Sequence, residues 1–244
     1  MADIPTPETP AGQPKPNNRD AAIDALMKLA AERNWRDIGL ADIAREAGIS
    51  LADLRDAFPS KGAIFGGFVR RIDRQVLEGT TTELAEEPAR ERLFDVLTRR
   101  LDAYAPYKAA LRRIRDEFRR DPLSAAALNK LALNAHRFML AAAGIDTEGP
   151  LGYLKIQGSV LVFSDVFQVW LDDDDPDMAR TLARLDRELR SGERLFTTLE
   201  DVGRLAAPFC AMARTFRPGR YRRYRRDEMR DRDVDGGEDY APAI

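Results

Sequence analysis

Few side chains in this sequence have the types and the spacing that a catalytic or metal centre requires. His136 is the only histidine and Cys210 the only cysteine, so neither a zinc site nor a nucleophilic triad nor an intrachain disulfide can be assembled. The four carboxylates Asp172–Asp175 invite a calcium interpretation, but consecutive residues at a helix-entry turn point apart and no loop of alternating ligands follows. We therefore predict no catalytic residue, no metal and no cofactor, and we do not expect an enzyme.

The basic side chains around residues 45–61 could instead bind phosphate groups. The segment 40–47 predicts a short helix, Gly48 sits where a left-handed C-cap is needed, and Ser50 can cap a second short helix over 51–57. Two short helices joined by a tight glycine-containing turn are typical of a helix-turn-helix. A purely structural helical hairpin remains equally open on this evidence.

The elements that must position these residues are predicted to be helical throughout. The 244 residues are 44% hydrophobic and 33% charged, and they are rich in Ala, Leu, Arg, Glu and Asp. No segment alternates cleanly between apolar and polar residues as a strand would. Together these features predict an all-α protein of about ten helices. We predict a disordered tail over 1–17, a helix-turn-helix domain over 18–76, a helical domain over 77–216 and a second disordered tail over 217–244. The start of the chain has no basic-then-apolar pattern, so we expect a cytoplasmic location.

Residues 19–76 resemble the N-terminal domain of TetR-type transcriptional repressors. The resemblance is carried by the runs LADIAREAGIS and FPSKGAIF; the matching positions are Ile43, Ala44, Ala47, Gly48, Ser50, Leu54, Phe58 and Lys61. It implies a TetR-like all-α fold, a homodimer, double-stranded operator DNA as partner, and a small apolar ligand bound in the C-terminal domain.

The candidate DNA-binding residues are Arg45, Ser50, Ala52, Arg55 and Lys61. Arg45, Arg55 and Lys61 are the candidate phosphate anchors, because phosphate contacts set the register of a protein on DNA. Asp53 and Asp56 depart from the family's pattern and would be repelled by DNA. The net charge of the chain is −2, and residues 19–75 hold ten Lys or Arg against nine Asp or Glu, so any attraction to DNA must be local.

The long helices are predicted at 89–104, 107–120, 122–143, 151–171, 176–191 and 197–215. Helix 151–171 is apolar around nearly its whole circumference, which indicates burial on several sides. Within a TetR-like fold its large side chains would line the ligand cavity or the dimer interface; the candidates are Tyr153, Val160, Phe163, Phe167 and Trp170. His136 is expected to be buried or to line the cavity, and the alternative that all of these residues simply fill a core stays open.

The C-terminal half carries a second resemblance. The pattern from Asp173 to Arg187 and the run RRLDAYAPYKAALRR are similar to the TetR-fold, lipid-binding accessory proteins of ubiquinone biosynthesis, which do not bind DNA. That resemblance implies a lipid-like ligand in the cavity. It also implies a membrane surface as partner, contacted by the apolar face of helix 197–216 and the six arginines between 217 and 226. A last helix packed on its own core, followed by a solvated arginine tail, is the alternative.

Overall fold

All regular structure in the described part of the chain is helical, which confirms the predicted all-α class. The computed structural model describes residues 17–80, 84–118, 122–149 and 151–194. The α-helices are α1 (Asn18–Glu32), α2 (Leu40–Ala47), α3 (Leu51–Ala57), α4 (Lys61–Glu78), α5 (Ala89–Tyr104), α6 (Lys108–Phe118), α7 (Pro122–Ala142), α8 (Gly152–Leu171) and α9 (179–194), with 3₁₀ turns at Trp35–Asp37 and Ala105–Tyr107.

Local chemistry sets the ends of the N-terminal helices. The side chains of Ser50 and Ser60 accept hydrogen bonds from the amides of Asp53 and Ala63, as expected of N-caps. Gly48 ends α2 in the left-handed conformation with a φ of 65°. By residue type Asn18 could cap the first helix, but the N-cap is Asn17, whose side chain accepts a hydrogen bond from the Arg19 amide, and α1 begins at Asn18.

Helices α1 to α4 share one buried core. Leu26, Ile43, Leu54 and Phe58 are almost fully buried and come from α1, α2, α3 and the turn after α3. α1 also packs against α6, and α4 packs against α5 and α7, so the core continues without interruption into the longer helices. α4 also runs two residues past the domain boundary predicted at residue 76. The N-terminal unit is therefore supported by the C-terminal helices along α1 and α4.

The connection between α8 and α9 differs from the prediction. α9 begins at residue 179 and not at 176, and a turn occupies the residues after Pro176. The cause is Asp173, a buried carboxylate that accepts hydrogen bonds from the Thr181 amide at 3.1 Å and the Thr181 hydroxyl at 2.6 Å. By binding an amide in the first turn of α9, Asp173 acts as a cap placed well upstream of the helix it stabilises.

Some predicted elements lie outside the described residues: the tail before residue 17, the helix 197–215 and the arginine-rich tail. Across the residues that are described, none of the helices combines the length and the apolar character needed to cross a lipid bilayer.

Candidate DNA-contacting face and internal cavity

The helix-turn-helix is built by a tight turn and a single buried anchor. The Gly48 amide donates to carbonyl oxygens of α2, and the Ile49 amide donates to the Ala44 carbonyl at 3.0 Å, which closes the turn. Leu54 is the buried residue of α3. Because one side of this short helix is held in the core, Leu51, Ala52, Asp53, Arg55 and Asp56 all face outward and are exposed.

The predicted DNA-binding residues on this face differ in whether their polar groups already have partners within the protein. Arg55 is exposed and makes no hydrogen bond or ion pair with any described residue, whereas Arg45 lies 3.3 Å from the Asp42 carboxylate. Ser50 is engaged with Asp53: its hydroxyl donates to the carboxylate at 2.7 Å and accepts from the Asp53 amide at 3.0 Å. Ala52 presents a small apolar surface. Of the predicted phosphate anchors, Arg55 is therefore the freest to bind an anion.

Lys61 has a partly buried position and a structural role that its sequence motif did not indicate. Its Nζ donates to the carbonyl oxygens of Trp35 and, at 2.7 Å, of Ile38, and it lies 4.7 Å from the centre of the Trp35 ring. Burial lowers the pKa of Lys61, with Asp37 and Glu117 acting in the opposite direction. The side chain thus ties the 3₁₀ turn to the start of α4, and its ammonium group is already occupied.

Arg19 is a contributor to this face that the sequence analysis did not single out. Its Nη1 donates to the Ala57 carbonyl at 2.6 Å, and its guanidinium lies 4.3 Å from the centre of the Phe58 ring. A cation at the C-terminal end of α3 complements the helix dipole there. No local motif could reveal it, because Arg19 and Ala57 are separated by 38 positions.

Much of the remaining positive charge of the N-terminal unit is neutralised by ion pairs. Lys28 binds Glu46 at 2.5 Å, and Arg71 binds Asp24 at 2.7 Å. Asp56 lies on the exposed side of α3 and has no partner among the described residues. The electrostatic attraction of this face for a polyanion consequently depends on a small number of side chains, with Arg55 central and Asp56 opposing it.

A cavity of about 420 Å³, partly open to solvent, lies among α4, α5, α6, α7 and α8. His136, Phe163 and Phe167, three of the predicted pocket residues, line it, as does Val160. The sequence analysis missed other lining residues, because they come from helices that it did not connect with a pocket. They include Phe65, Val69, Arg100, Tyr104, Leu111, Ile114 and Arg115. Its size and its mainly apolar lining are those of a small-molecule site.

Two predicted pocket residues lie elsewhere. Tyr153 is 68% exposed and stands on the outer side of α8, near Leu154 and Leu161, which are also exposed. Trp170 is fully buried behind the cavity wall and stacks on Phe167, with ring centres 5.3 Å apart. The apolar circumference of α8 therefore serves three surroundings: the cavity, the core and an exposed face.

The cavity wall contains a buried charge. Arg100 lies 2.8 Å from the Asp73 carboxylate and donates from Nη2 to the Tyr104 hydroxyl at 3.2 Å. Burial raises the pKa of Asp73, and Arg100 opposes that effect. Burial and the nearby Arg100 hold the pKa of His136 well below its usual value of 6.5, so this imidazole is neutral; its Nδ1 shares a hydrogen bond with the Ser159 hydroxyl at 2.8 Å.

The aspartate run is occupied by protein partners. Asp172 binds Arg115 at 3.1 Å and Asp174 binds Arg112 at 2.6 Å, while Asp173 accepts from Thr181 and Asp175 accepts from the Asp177 amide. Within the described ranges no group of three or more His, Cys, Asp or Glu side chains is placed to hold a metal ion. These carboxylates fasten α6 and α9 to the end of α8.

Comparison with known proteins gives two partial sequence likenesses. The nucleoid occlusion factor SlmA of Aliivibrio fischeri is 31% identical over 101 residues, which are 41% of this chain and 52% of that protein. AlkX, an HTH-type transcriptional regulator of Mycobacterium tuberculosis, is 32% identical over 66 residues, 27% of this chain and 31% of that protein. The chain thus spans about half the length, or less, of these curated relatives. No family model matches the sequence.

Solved structures match over a larger share of the chain. A TetR transcriptional regulator from Nitrosomonas europaea superposes with a TM-score of 0.58 at 22% identity, covering 71% of this chain and 96% of that one. A second, from Rhodococcus sp. RHA1, has a TM-score of 0.54 at 22% identity, covering 71% and 94%. The chain has the TetR fold. The resemblance predicted from residues 19–76 is therefore confirmed, and the TetR fold extends through the helices that enclose the cavity.

Proposed function

We propose that this TetR-fold protein is a transcriptional regulator that binds operator DNA through α2, the Gly48 turn and α3, and senses a small apolar ligand in its internal cavity. The observation that carries the proposal is the placement of α3. Leu54 holds one side of that helix in the core, and the next residue, Arg55, is exposed and has no partner among the described residues. The partial sequence likeness to an HTH-type transcriptional regulator supports it.

On DNA, α3 would enter the major groove, where the first residues of a recognition helix meet the base edges. Leu51 and Ala52 stand at that end and are exposed, and small apolar side chains of this kind contact thymine methyl groups. Arg55 would bind a phosphate, and Arg45 could do so once it leaves Asp42. Lys61 would act indirectly, by holding the 3₁₀ turn against α4.

The experiment measures duplex binding against salt concentration, using operator sequences selected in vitro from a random duplex library. Arg55→Ala should weaken binding and reduce the slope of log K against log salt by about one phosphate contact. Asp56→Asn should strengthen binding, because it removes a negative charge from the same face. Arg137→Ala is the matched control: Arg137 is an exposed arginine on α7 without a described partner, and its loss should change neither quantity.

Two results would contradict the DNA-binding proposal. One is an absence of salt-dependent duplex binding by the wild type even at low ionic strength. The other is an equal effect of Arg55→Ala and Arg137→Ala, which would indicate a nonspecific charge effect. A protein that fails to bind DNA but copurifies with lipid would instead match the lipid-binding alternative.

A homodimer is part of the same proposal, and the outer face of α8 is its candidate interface. Leu161 is 64% exposed, and Tyr153 and Leu154 extend the same apolar face, which a second copy could cover. Leu161→Asp should therefore convert a dimer into a monomer in sedimentation velocity. Leu51→Asp, which charges an exposed leucine on α3, is the control and should leave the dimer intact. A wild type that sediments as a monomer at micromolar concentration would exclude this interface.

Ligand sensing would link the cavity to α3 through helices shared by both regions. Phe65 and Val69 of α4 and Leu111 and Ile114 of α6 line the cavity. α4 also packs against α1, and Arg113 of α6 donates to the Ala31 carbonyl at 3.0 Å. A ligand that shifts α4 or α6 would move the support of the helix-turn-helix, and by linkage DNA would then change ligand affinity by the same factor.

A further inference from the structure

The cavity wall carries a cation whose hydrogen-bonding capacity is only partly used. Arg100 is 2% exposed and lines the cavity from α5. Its Nη2 reaches the Tyr104 hydroxyl, but its Nε and Nη1 have no hydrogen-bond acceptor among the described residues. Buried donors without acceptors are unfavourable, and those of a charged group especially so.

Asp73 does not satisfy this cation. Its Oδ1 lies 2.8 Å from Nη2 of Arg100, yet the same oxygen makes no well-aligned hydrogen bond. The contact is therefore an attraction between charges at short range, with poor directional geometry. Asp73 is also absent from the cavity lining, so an acceptor entering from the cavity would approach Arg100 without first displacing that carboxylate.

The charges that face the cavity are of one sign. Its described lining contains two arginines, Arg100 and Arg115, and no aspartate or glutamate. Arg115 is already paired with Asp116 and Asp172. His136 contributes no negative charge, and its Nδ1 is shared with Ser159. Within a mainly apolar lining that also contains Asn129, Ser164 and Gln168, Arg100 is thus the strongest site for an anion.

The rest of the lining fits an apolar body beside that anion. Tyr104, Phe163 and Phe167 form a continuous aromatic series, with neighbouring ring centres 5.7 and 5.9 Å apart. The guanidinium of Arg100 lies 5.4 Å from the Phe163 ring centre, so the cationic and aromatic surfaces adjoin.

We propose that the cavity binds an amphiphilic carboxylic acid, whose carboxylate pairs with the guanidinium of Arg100 and whose apolar body lies along the aromatic series. This rests on the ligand-sensing part of the proposed function and specifies its ligand class. It assigns Arg100 as the residue that selects an acid over a neutral or cationic molecule of the same shape.

The test is isothermal titration calorimetry on the full chain without DNA, using matched pairs of probes below their micelle concentrations. Decanoic acid, decanol and decylamine differ only in the head group, and 2-naphthoic acid with 2-naphthalenemethanol forms an aromatic pair. The acids should bind more tightly than the alcohols, by about 10-fold or more, since a hydrogen bond to a charged group has that effect. Which acid binds better then distinguishes an aliphatic from an aromatic body.

The variants separate the carboxylate contact from general packing. Arg100→Met should lower acid affinity by about 10- to 100-fold and leave alcohol affinity nearly unchanged. Asp73→Asn removes the carboxylate that competes for Arg100, so it should raise acid affinity. If Arg100→Met does not fold, the double variant Arg100→Met/Asp73→Asn replaces it, and the gain in Asp73→Asn still tests the assignment.

Each outcome has a defined meaning. Equal binding of acid and alcohol, tighter binding of decylamine, or loss of acid and alcohol affinity together in Arg100→Met would overturn the acid assignment while leaving ligand sensing in place. If none of the probes binds, both the acid assignment and ligand sensing by this cavity fail. DNA binding is measured separately and is affected by neither result.

Discussion

The helix-turn-helix and the cavity satisfy their polar groups in opposite ways. In the helix-turn-helix, the polar groups at the helix starts find partners close in sequence, as the Gly39 amide donates to Asp42 at 3.0 Å and the Ser50 hydroxyl to Asp53 at 2.7 Å, while Arg19 and Lys61 donate to carbonyl oxygens more distant in the chain. At the cavity, Asp73 and Arg100 come from different helices and leave donors and an acceptor oxygen without aligned partners. One region completes these hydrogen bonds by itself, and the other leaves several of its polar atoms without an aligned partner among the described residues.

This difference in hydrogen bonding indicates that the two regions are organised around different requirements. The helix-turn-helix is a finished core that presents its binding groups on an outer surface, so its interior can be optimised for stability. The cavity keeps open space and unsatisfied donors, and regions of that kind are usually less stable than they could be. Substitutions in the two regions should therefore differ in their effects on stability.

The largest expected difference is between two phenylalanines. Phe58 is 3% exposed and packed in the N-terminal core, so Phe58→Ala should lower the free energy of unfolding by about 3–5 kcal/mol. Phe167 borders the cavity and is only partly buried, so Phe167→Ala should lower it by about 1–2 kcal/mol. Urea denaturation measures both, and equal losses would break the contrast between the regions.

The ion pair that joins α4 to α5 should give the next largest effect. Asp73→Leu leaves the Arg100 charge buried without its partner and should destabilise the protein by about 3 kcal/mol. Asp73→Leu/Arg100→Met removes both charges and should restore most of that loss, since apolar groups fit the surrounding core. A double variant that is less stable than the single one would show that the pair is a net stabilising contact and not a compromise made for ligand binding.

Substitution of Asp173 should give the smallest change in stability. It tests whether the hydrogen bonds at the end of α8 stabilise the fold as completed hydrogen bonds do in the helix-turn-helix. Hydrogen bonds from Thr181 hold the pKa of Asp173 below its ordinary value of 3.8. A carboxylate whose pKa is lowered in the folded state stabilises the fold at pH values above its ordinary pKa. That contribution to stability is lost as the pH falls through the folded-state pKa.

Asp173→Asn should therefore lower stability by about 1 kcal/mol at neutral pH and reduce the sensitivity to acid below about pH 4. Asp175→Asn, which alters an exposed carboxylate in the same turn, is the control and should change little. Thermal denaturation at pH 7 and pH 3 provides the measurement. An unchanged acid sensitivity in Asp173→Asn would show that other carboxylates control the response to pH.

The sequence by itself determined the helices and their order, because those depend on interactions within a few residues. Gly48 and Ser50 end and begin helices through backbone preference and side-chain reach, and both act as predicted. The apolar character of α8 indicated burial, which holds for Val160, Phe163 and Trp170 but not for Tyr153, Leu154 and Leu161; of the candidates for a cavity or an interface, Phe163 and Phe167 lie at the cavity wall. Where the prediction failed locally, as at the start of α9, a buried contact from Asp173 to Thr181 had replaced the local signal.

Only the tertiary structure decided which side chains share a site, because contacts across the fold depend on packing and leave no periodic trace in sequence. Lys61 matched a DNA-binding motif, yet its ammonium group binds carbonyl oxygens 26 and 23 positions earlier in the chain. Arg100 lies within the run RRLDAYAPYKAALRR, but nothing in that run distinguished it from the other arginines; its position beside Asp73 at the cavity wall follows from folding. A charge acquires such a role only when folding removes the water around it. The neighbouring residues in the sequence do not indicate how much of that water is removed.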